Sequence, residues 1–286
     1  MNKFRPLFLI AIIVALFSCA KEYSVEEGSA FDELIVGADC RINKIVYTDT
    51  SGTDTGLGSI AADINSLDFV TKIVNFDSVA NTINNIVSLV YRNDSIYIDG
   101  DQYFIVDVNK RISKFHGVFD PTDPATLHYD VFYVYNAAGY LVTKNYFLTI
   151  SPASPYQQVN YTYAGGNLTH MDGIDKISNE LFSDADIDYY TALKPRRFIY
   201  LFPDVNDDNA DFRQFFDFGL KNLNAVRKMK VRNYDPGNVV RDSAVSIFSN
   251  YFISKDNYVL SVQMDSLAQP GIPALAGKLS FSYHCK

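Results

Sequence analysis

The chain has 286 residues, 48% of them hydrophobic and 20% charged, which excludes a disordered protein and allows one large domain or two small ones. Its formal net charge of −8 argues against a polyanionic partner such as nucleic acid, which needs clustered Lys and Arg. The basic knots Arg196-Arg197 and Arg227-Lys228-Lys230 alternate with apolar residues, as exposed strand faces do.

At the N-terminus, Lys3 and Arg5 precede the apolar run Leu7 to Phe17, the layout of a secretory signal. That run is shorter than the roughly 20 apolar residues a spanning helix needs, and no later uncharged window approaches the length. Leu16-Phe17-Ser18-Cys19 resembles the lipobox of bacterial lipoproteins; aromatic residues at the position of Phe17 are tolerated in those of the Bacteroidota. The resemblance implies cleavage after Ser18, a lipid on Cys19, and, with Ala20 rather than an aspartate next, delivery to the outer membrane, on its periplasmic or cell-surface side. The expected organisation is a signal over 1–18, a lipidated cysteine and flexible tether over 19–36, and a single β-rich domain over 37–286.

Two cysteines remain, in a compartment that permits disulfides. Cys40 opens the strand-like Cys40-Arg-Ile-Asn-Lys-Ile-Val-Tyr47, and Cys285 ends Lys278-Leu-Ser-Phe-Ser-Tyr-His-Cys285. A bond between them would join the two ends of the domain and contribute roughly 4–5 kcal/mol in the chain-entropy model. Two buried free thiols are the alternative.

Between the cysteines, aromatic and polar residues alternate, the period-2 pattern of half-buried strands. Strand, polar turn and strand recur around Asp107-Val-Asn-Lys110, Asn136-Ala-Ala-Gly139, Ala164-Gly-Gly-Asn167 and Ser254-Lys-Asp-Asn257, with a weaker copy over Asp63 to Lys72 and a tight hairpin over Tyr91 to Tyr97. Gly, Asn and Asp occupy these turns because they tolerate positive φ. The turns near Asn109, Ala138 and Gly166 lie 29 and 28 residues apart, which fits a repeating antiparallel meander. Three stretches read as helical: Asn75 to Val90 by apolar spacing; Ser178 to Leu193 by a Ser183 cap, acidic first turn and Pro195 stop; and Ala210 to Leu220 as a short Phe-rich helix.

Tyr133-Val-Tyr135-Asn136-Ala-Ala-Gly139-Tyr-Leu141 resembles the YD repeat, Tyr-x-Tyr-Asp-x-x-Gly-Arg-Leu, with Asn136 and Tyr140 replacing its Asp and Arg. Tyr161-Thr-Tyr163-Ala-Gly-Gly-Asn167-Leu168 resembles a shorter variant. Such degenerate units look like those of envelope lipoproteins of the Bacteroidota type, together with a stretch like Gly219-Leu-Lys-Asn-Leu-Asn224 and a final hairpin such as Tyr251 to Gln263. The resemblance implies a curved sheet and an envelope location, and no established activity.

Chemistry is sparse. The four histidines, His116, His128, His170 and His284, show no zinc-ligand spacing, and no nucleophile elbow or phosphate loop occurs. Asp204, Asn206 and Asp208 match the opening of a calcium loop, which then fails at Asn209 and Phe215. Calcium is therefore the one conceivable cofactor, against an acidic solvent loop that caps a helix. Tyr133, Tyr135, Tyr161 and Tyr163 share sheet faces at i, i+2, and such a face either stacks on sugar rings or is the core.

The expected fold is mainly β, a curved antiparallel meander sheet with one or two short helices packed on it. The expected role is that of a lipid-anchored envelope protein, not an enzyme, that binds or scaffolds. The alternatives are a glycan-binding lipoprotein of a polysaccharide-uptake system and, third, an envelope hydrolase. The partners would be the membrane through the lipid and a glycan or another envelope protein.

Overall fold

The computed structural model describes residues 40–50, 58–77, 80–99, 101–119, 127–196, 198–202, 214–267 and 275–285. Every regular element among them is a strand: β1 (Cys40–Asp49), β2 (Gly58–Ile64), β3 (Val70–Asp77), β4 (Thr82–Ser88), β5 (Val90–Arg92), β6 (Ser95–Asp99), β7 (Gln102–Val106), β8 (Ile112–Val118), β9 (His128–Tyr135), β10 (Leu141–Leu148), β11 (Gln157–Ala164), β12 (Asn167–Asp175), β13 (Glu180–Tyr189), β14 (Val226–Asp235), β15 (Val239–Ile253), β16 (Val259–Ser266) and β17 (Leu275–Cys285).

Consecutive strands pair antiparallel, and β1 pairs with both β2 and β17, so the meander curls into a barrel rather than remaining an open sheet. The ring of pairings is interrupted at one place. β4 pairs with β3, the chain passes Leu89, and only then does β5 pair with β6. Since β4 and β5 run in one direction, the seventeen strands make sixteen courses, and an even number is what lets an all-antiparallel ring close.

The expected helices are not present among the described residues. Asn75 to Val90 is the end of β3 followed by β4, and Ser178 to Leu193 contains β13. Residues 214–220 are irregular, and 210–213 lie outside the described residues. In β13 the cap-like acids Asp184, Asp186 and Asp188 alternate with buried Ala185 and Ile187, and strand pairing on both sides overrides the local helix signals.

Four hairpin turns at one mouth share a single build: Asn65–Phe69, Asp107–Arg111, Asn136–Tyr140 and Ser254–Tyr258. In each, the first N–H donates to the fifth carbonyl, the fourth N–H donates to the first carbonyl, and the first side chain accepts from the fifth N–H. The fourth residue takes positive φ, at Asp68, Lys110, Gly139 and Asn257. The β11–β12 turn is the two-residue form, with Gly165 and Gly166 both at positive φ. The repeating polar turns of the sequence are therefore one Asx- or Ser-stabilised hairpin used around the ring.

Alternation sends one face of every strand inward. Phe104, Phe115, Val131, Val159, Met171, Val262 and Phe281 are buried there in a single core. Lys144 also points inward, over the rings of Tyr133 and Tyr146. The outward face mixes exposed Phe132, Val134 and Ile86 with polar and charged residues. Asp184, Asp186 and Asp188 stand opposite Arg232, Lys230 and Lys228, and Arg232 grips Asp184 at 2.6 and 2.9 Å and Asp186 at 2.7 Å. Asn160 donates to Asp172, Gln158 to Asn145, and Asp130 holds Lys114 and His116.

The mouth that carries Cys40 and Cys285 is termed proximal, and the opposite one distal. Cys40 and Cys285 are register partners on β1 and β17 and are joined by a disulfide across 245 residues of sequence, at the strand pair that closes the ring. The expected staple is thus present, and the alternative of free thiols is not.

Candidate functional site at the proximal mouth

The described parts of the connection from β13 to β14, residues 190–196, 198–202 and 214–225, lie at the proximal mouth and lay a row of aromatic side chains into the core. Phe202 packs on Tyr161, Phe218 on Tyr133 and Phe104, and Phe198 on Tyr251 and Phe281, so the segment touches walls on several sides of the barrel. Its last part crosses the ends of successive hairpins at three-residue steps. Ile112 N–H donates to the carbonyl of Asp217, Leu220 N–H to Gly139, and Leu223 N–H to Gly166.

Two local features fix this path. Asn224 is a buried hub: its N–H donates to Asn167 Oδ1, its Nδ2 donates to the carbonyls of Tyr190 and Thr191, and its Oδ1 accepts from Asn167. Gly219 adopts φ +87, and a Cβ there would strike the carbonyl of Gly139 and the ring of Tyr135, so only glycine fits.

Between this segment and the turns after β2, β5 and β7 lies an open basin of about 1190 Å³. Its aromatic wall is Phe69 on Tyr91, ring centroids 4.7 Å apart, with Tyr140 across from them. Arg41 enters beside this wall, donating to the carbonyl of Asp68 at 2.6 Å and pairing with the Asp68 carboxylate at 3.4 Å. Burial pushes the Tyr91 hydroxyl up to about 12, against the opposing pull of Arg41 and a backbone bond at Val70.

On the segment side stands Asp217. Its side chain is exposed on the basin wall, yet partial burial raises its carboxyl above the ordinary range, although Gly219 N–H at 2.7 Å and the Tyr200 hydroxyl at 3.3 Å both donate to it. Lys221 lies 4.6 Å over the Tyr200 ring. The basin therefore offers flat apolar faces, one guanidinium, carboxylates and amides: a surface able to hold a polar ligand with an apolar face. Among the described residues no cluster of His, Cys, Asp or Glu could hold a metal ion.

Tyr133 and Tyr161, considered for sugar stacking, are buried in the core, as the alternative reading of that face had it. Tyr135 and Tyr163 are half-buried just inside the proximal mouth, and Tyr135 belongs to a recurring set. The hydroxyls of Tyr135, Tyr189, Tyr251 and Tyr283 donate to the carbonyls of Ile112, Leu168, Val226 and Val259, at 2.6 to 2.8 Å. Burial raises each of these phenols. The Tyr163 hydroxyl is buried without such a partner, its ring 4.6 Å from that of Tyr140. Of the four tyrosines, Tyr135 alone thus joins this carbonyl-bound girdle.

Cys19 and the calcium candidates Asp204, Asn206 and Asp208 lie outside the described residues. Sequence reasoning missed the basin, whose walls come from turns distant in the chain; the one signal was the Gly219 to Asn224 stretch, which forms part of its rim.

No protein-family model matches the chain, and no curated protein matches it. Solved structures do. A porin-like protein from Bacteroides uniformis matches with a TM-score of 0.58 at 10% identity, over 85% of this chain and 98% of that one. A porin-like protein from Bacteroides vulgatus matches with a TM-score of 0.53 at 11% identity, over 86% of this chain and 99% of that one. The likeness is one of fold. It extends over nearly the whole length of both neighbours and shows that this chain shares their β-barrel fold.

Proposed function

We propose that this chain is a lipid-anchored envelope protein with a non-catalytic binding role, its barrel standing outside the bilayer and its ligand taken in the proximal basin. The observation that carries this reading is the distribution of polarity. A barrel that spans a membrane turns an apolar band outward and a polar lumen inward. Here the inward face is a packed aromatic and aliphatic core to which Phe198, Tyr200, Phe202, Phe215 and Phe218 add, and the outward face, beside exposed Phe132, Val134 and Ile86, bears Asp184, Asp186, Lys230 and Arg232 on β13 and β14 and Asp130 and Lys114 on β8 and β9. An outward Lys or Arg costs about 2–4 kcal/mol at the bilayer midplane, so these charges and the filled interior oppose insertion. The neighbours' description as porin-like is therefore not carried over as an activity.

The anchor rests on the lipobox-like run ending at Cys19. Metabolic labelling with palmitate tests it: the wild-type chain should take the label, Cys19→Ala should not, and equal labelling of the two would refute the anchor.

A second reading, glycan binding, is favoured by the pairing of Phe69, Tyr91 and Tyr140 with Arg41 and Gln214 in one basin. Glycan-array binding by the mature protein that is lost in Arg41→Ala and Phe69→Ala would support it. An array without signal would leave a scaffolding role.

A further inference from the structure

We propose that the proximal mouth is seated on the phospholipid surface, its basin opening toward the membrane. This rests on the lipid-anchor reading. Around the basin, apolar side chains project into solvent at the tips of separate hairpins and on the crossing segment: Val108 at 96% exposure, Leu67 at 74%, and Phe69, Leu220 and Leu223. They come from three places in the chain yet share one rim. None of them is needed to make its turn, since the Asn65 and Asp107 turns are held by the first residue's side chain.

The distal mouth also has exposed apolar tips, Ile150 and Ile177 among them, so exposure alone does not choose an end. The tether does. Twenty residues separate Cys19 from Cys40, and Cys40 is fixed at the proximal mouth by its disulfide and by donating its N–H to Tyr258 at 3.1 Å. Twenty residues would span about 25 Å if they followed coil statistics, comparable to the length of one strand of the wall. Anchored there, the proximal rim dwells at the bilayer at high effective concentration, whereas the distal tips must swing round the whole barrel to reach it. A basin so placed receives ligands that the membrane surface presents.

The chain contains no tryptophan, so single tryptophans report position without background. Full-length chain, processed in the cell and purified as Val108→Trp or Ile177→Trp, is placed in phosphatidylcholine vesicles with brominated acyl chains. Val108→Trp should lose most of its emission and Ile177→Trp retain nearly all of its own. A Leu223→Trp reporter should be quenched too, and should lose that quenching when Leu67→Asp and Val108→Asp are added, while the protein still floats with the vesicles. Silence at Val108→Trp, or stronger quenching at Ile177→Trp, overturns the seat. In native membranes, shielding of Val108→Trp from iodide in a protein silent to brominated lipid would assign the rim to a protein partner and also overturn it. The mass of the Cys19 peptide separates the two readings. A lipidated chain silent at position 108 loses the seat and keeps the anchor, and an unlipidated chain quenched there keeps the seat and loses the anchor.

Discussion

Asn167 and Asn224 exchange two hydrogen bonds across the proximal mouth, Asn224 N–H to Asn167 Oδ1 at 2.8 Å and Asn167 Nδ2 to Asn224 Oδ1 at 3.0 Å, both residues buried. The pair ties the end of the 190–225 segment to the first residue of β12, and so ties the filling of the barrel to its wall. Asn224→Ala removes the side chain that also holds the carbonyls of Tyr190 and Thr191 and leaves buried polar groups unpaired. A loss of about 2–4 kcal/mol is expected, read from the urea midpoint, with faster proteolytic nicking inside the segment.

The tyrosine girdle yields a contrast between equivalent positions. Tyr135→Phe deletes a bond to the Ile112 carbonyl and should cost about 1–2 kcal/mol. Tyr163→Phe removes a hydroxyl that is buried without a partner, and should be neutral or stabilising by up to about 1 kcal/mol. Chemical denaturation of the two variants decides, and equal losses would contradict the distinction.

Cys40 and Cys285 hold the closing strand pair. Replacing both by Ser should cost roughly 4–5 kcal/mol, lowering the melting temperature by about 10 °C or more. Hydrogen exchange should rise first along β1 and β17. Non-reducing peptide mapping should recover the joined pair from the native protein.

Two carboxylates should respond to pH in opposite senses. Burial alone would raise Asp186, but hydrogen bonds from His170 and Arg232 outweigh it and hold the carboxyl below the usual range. Its stabilisation is therefore present above the ordinary carboxylate pKa, near 4, and lost as pH falls through the lower folded value. Asp217 is raised by burial, so its contribution is present at low pH and lost as pH rises through its folded value. Asp217→Asn, which keeps an acceptor for Gly219 N–H, should raise the urea midpoint at pH 7 and leave it unchanged at pH 3. Asp186→Asn should lower it at pH 7, and by less as pH falls below the ordinary carboxylate value.

Much of the wall was legible in the sequence because its information is local. Asn136 to Gly139 and Asp107 to Lys110 announce their turns by residues that accept positive φ and bond back to the chain, and the flanking alternation follows. Where a bulge shifts the alternation, as between Asn75 and Phe76, the apolar spacing imitates a helix. At Ser178 to Leu193 the acids of β13 imitate a helical first turn, while their real partners, Lys228, Lys230 and Arg232, lie some forty residues on. Closure of the ring depends on the parity of strand courses, which no single segment carries. The basin was beyond reach for the same reason: Arg41, Phe69, Tyr91 and Asp217 meet only after sixteen courses have closed and an aperiodic segment has folded between them.

The central claim is that this barrel stands beside a membrane, not through one, and is anchored there by the lipid on Cys19. The most direct test exports residues 20–286 behind an ordinary cleavable signal that attaches no lipid, followed by lysis and extraction with carbonate. The account predicts that the chain is recovered in the soluble fraction, folded and disulfide-bonded, without detergent. Sedimentation with carbonate-washed membranes, as an integral barrel does, would contradict it.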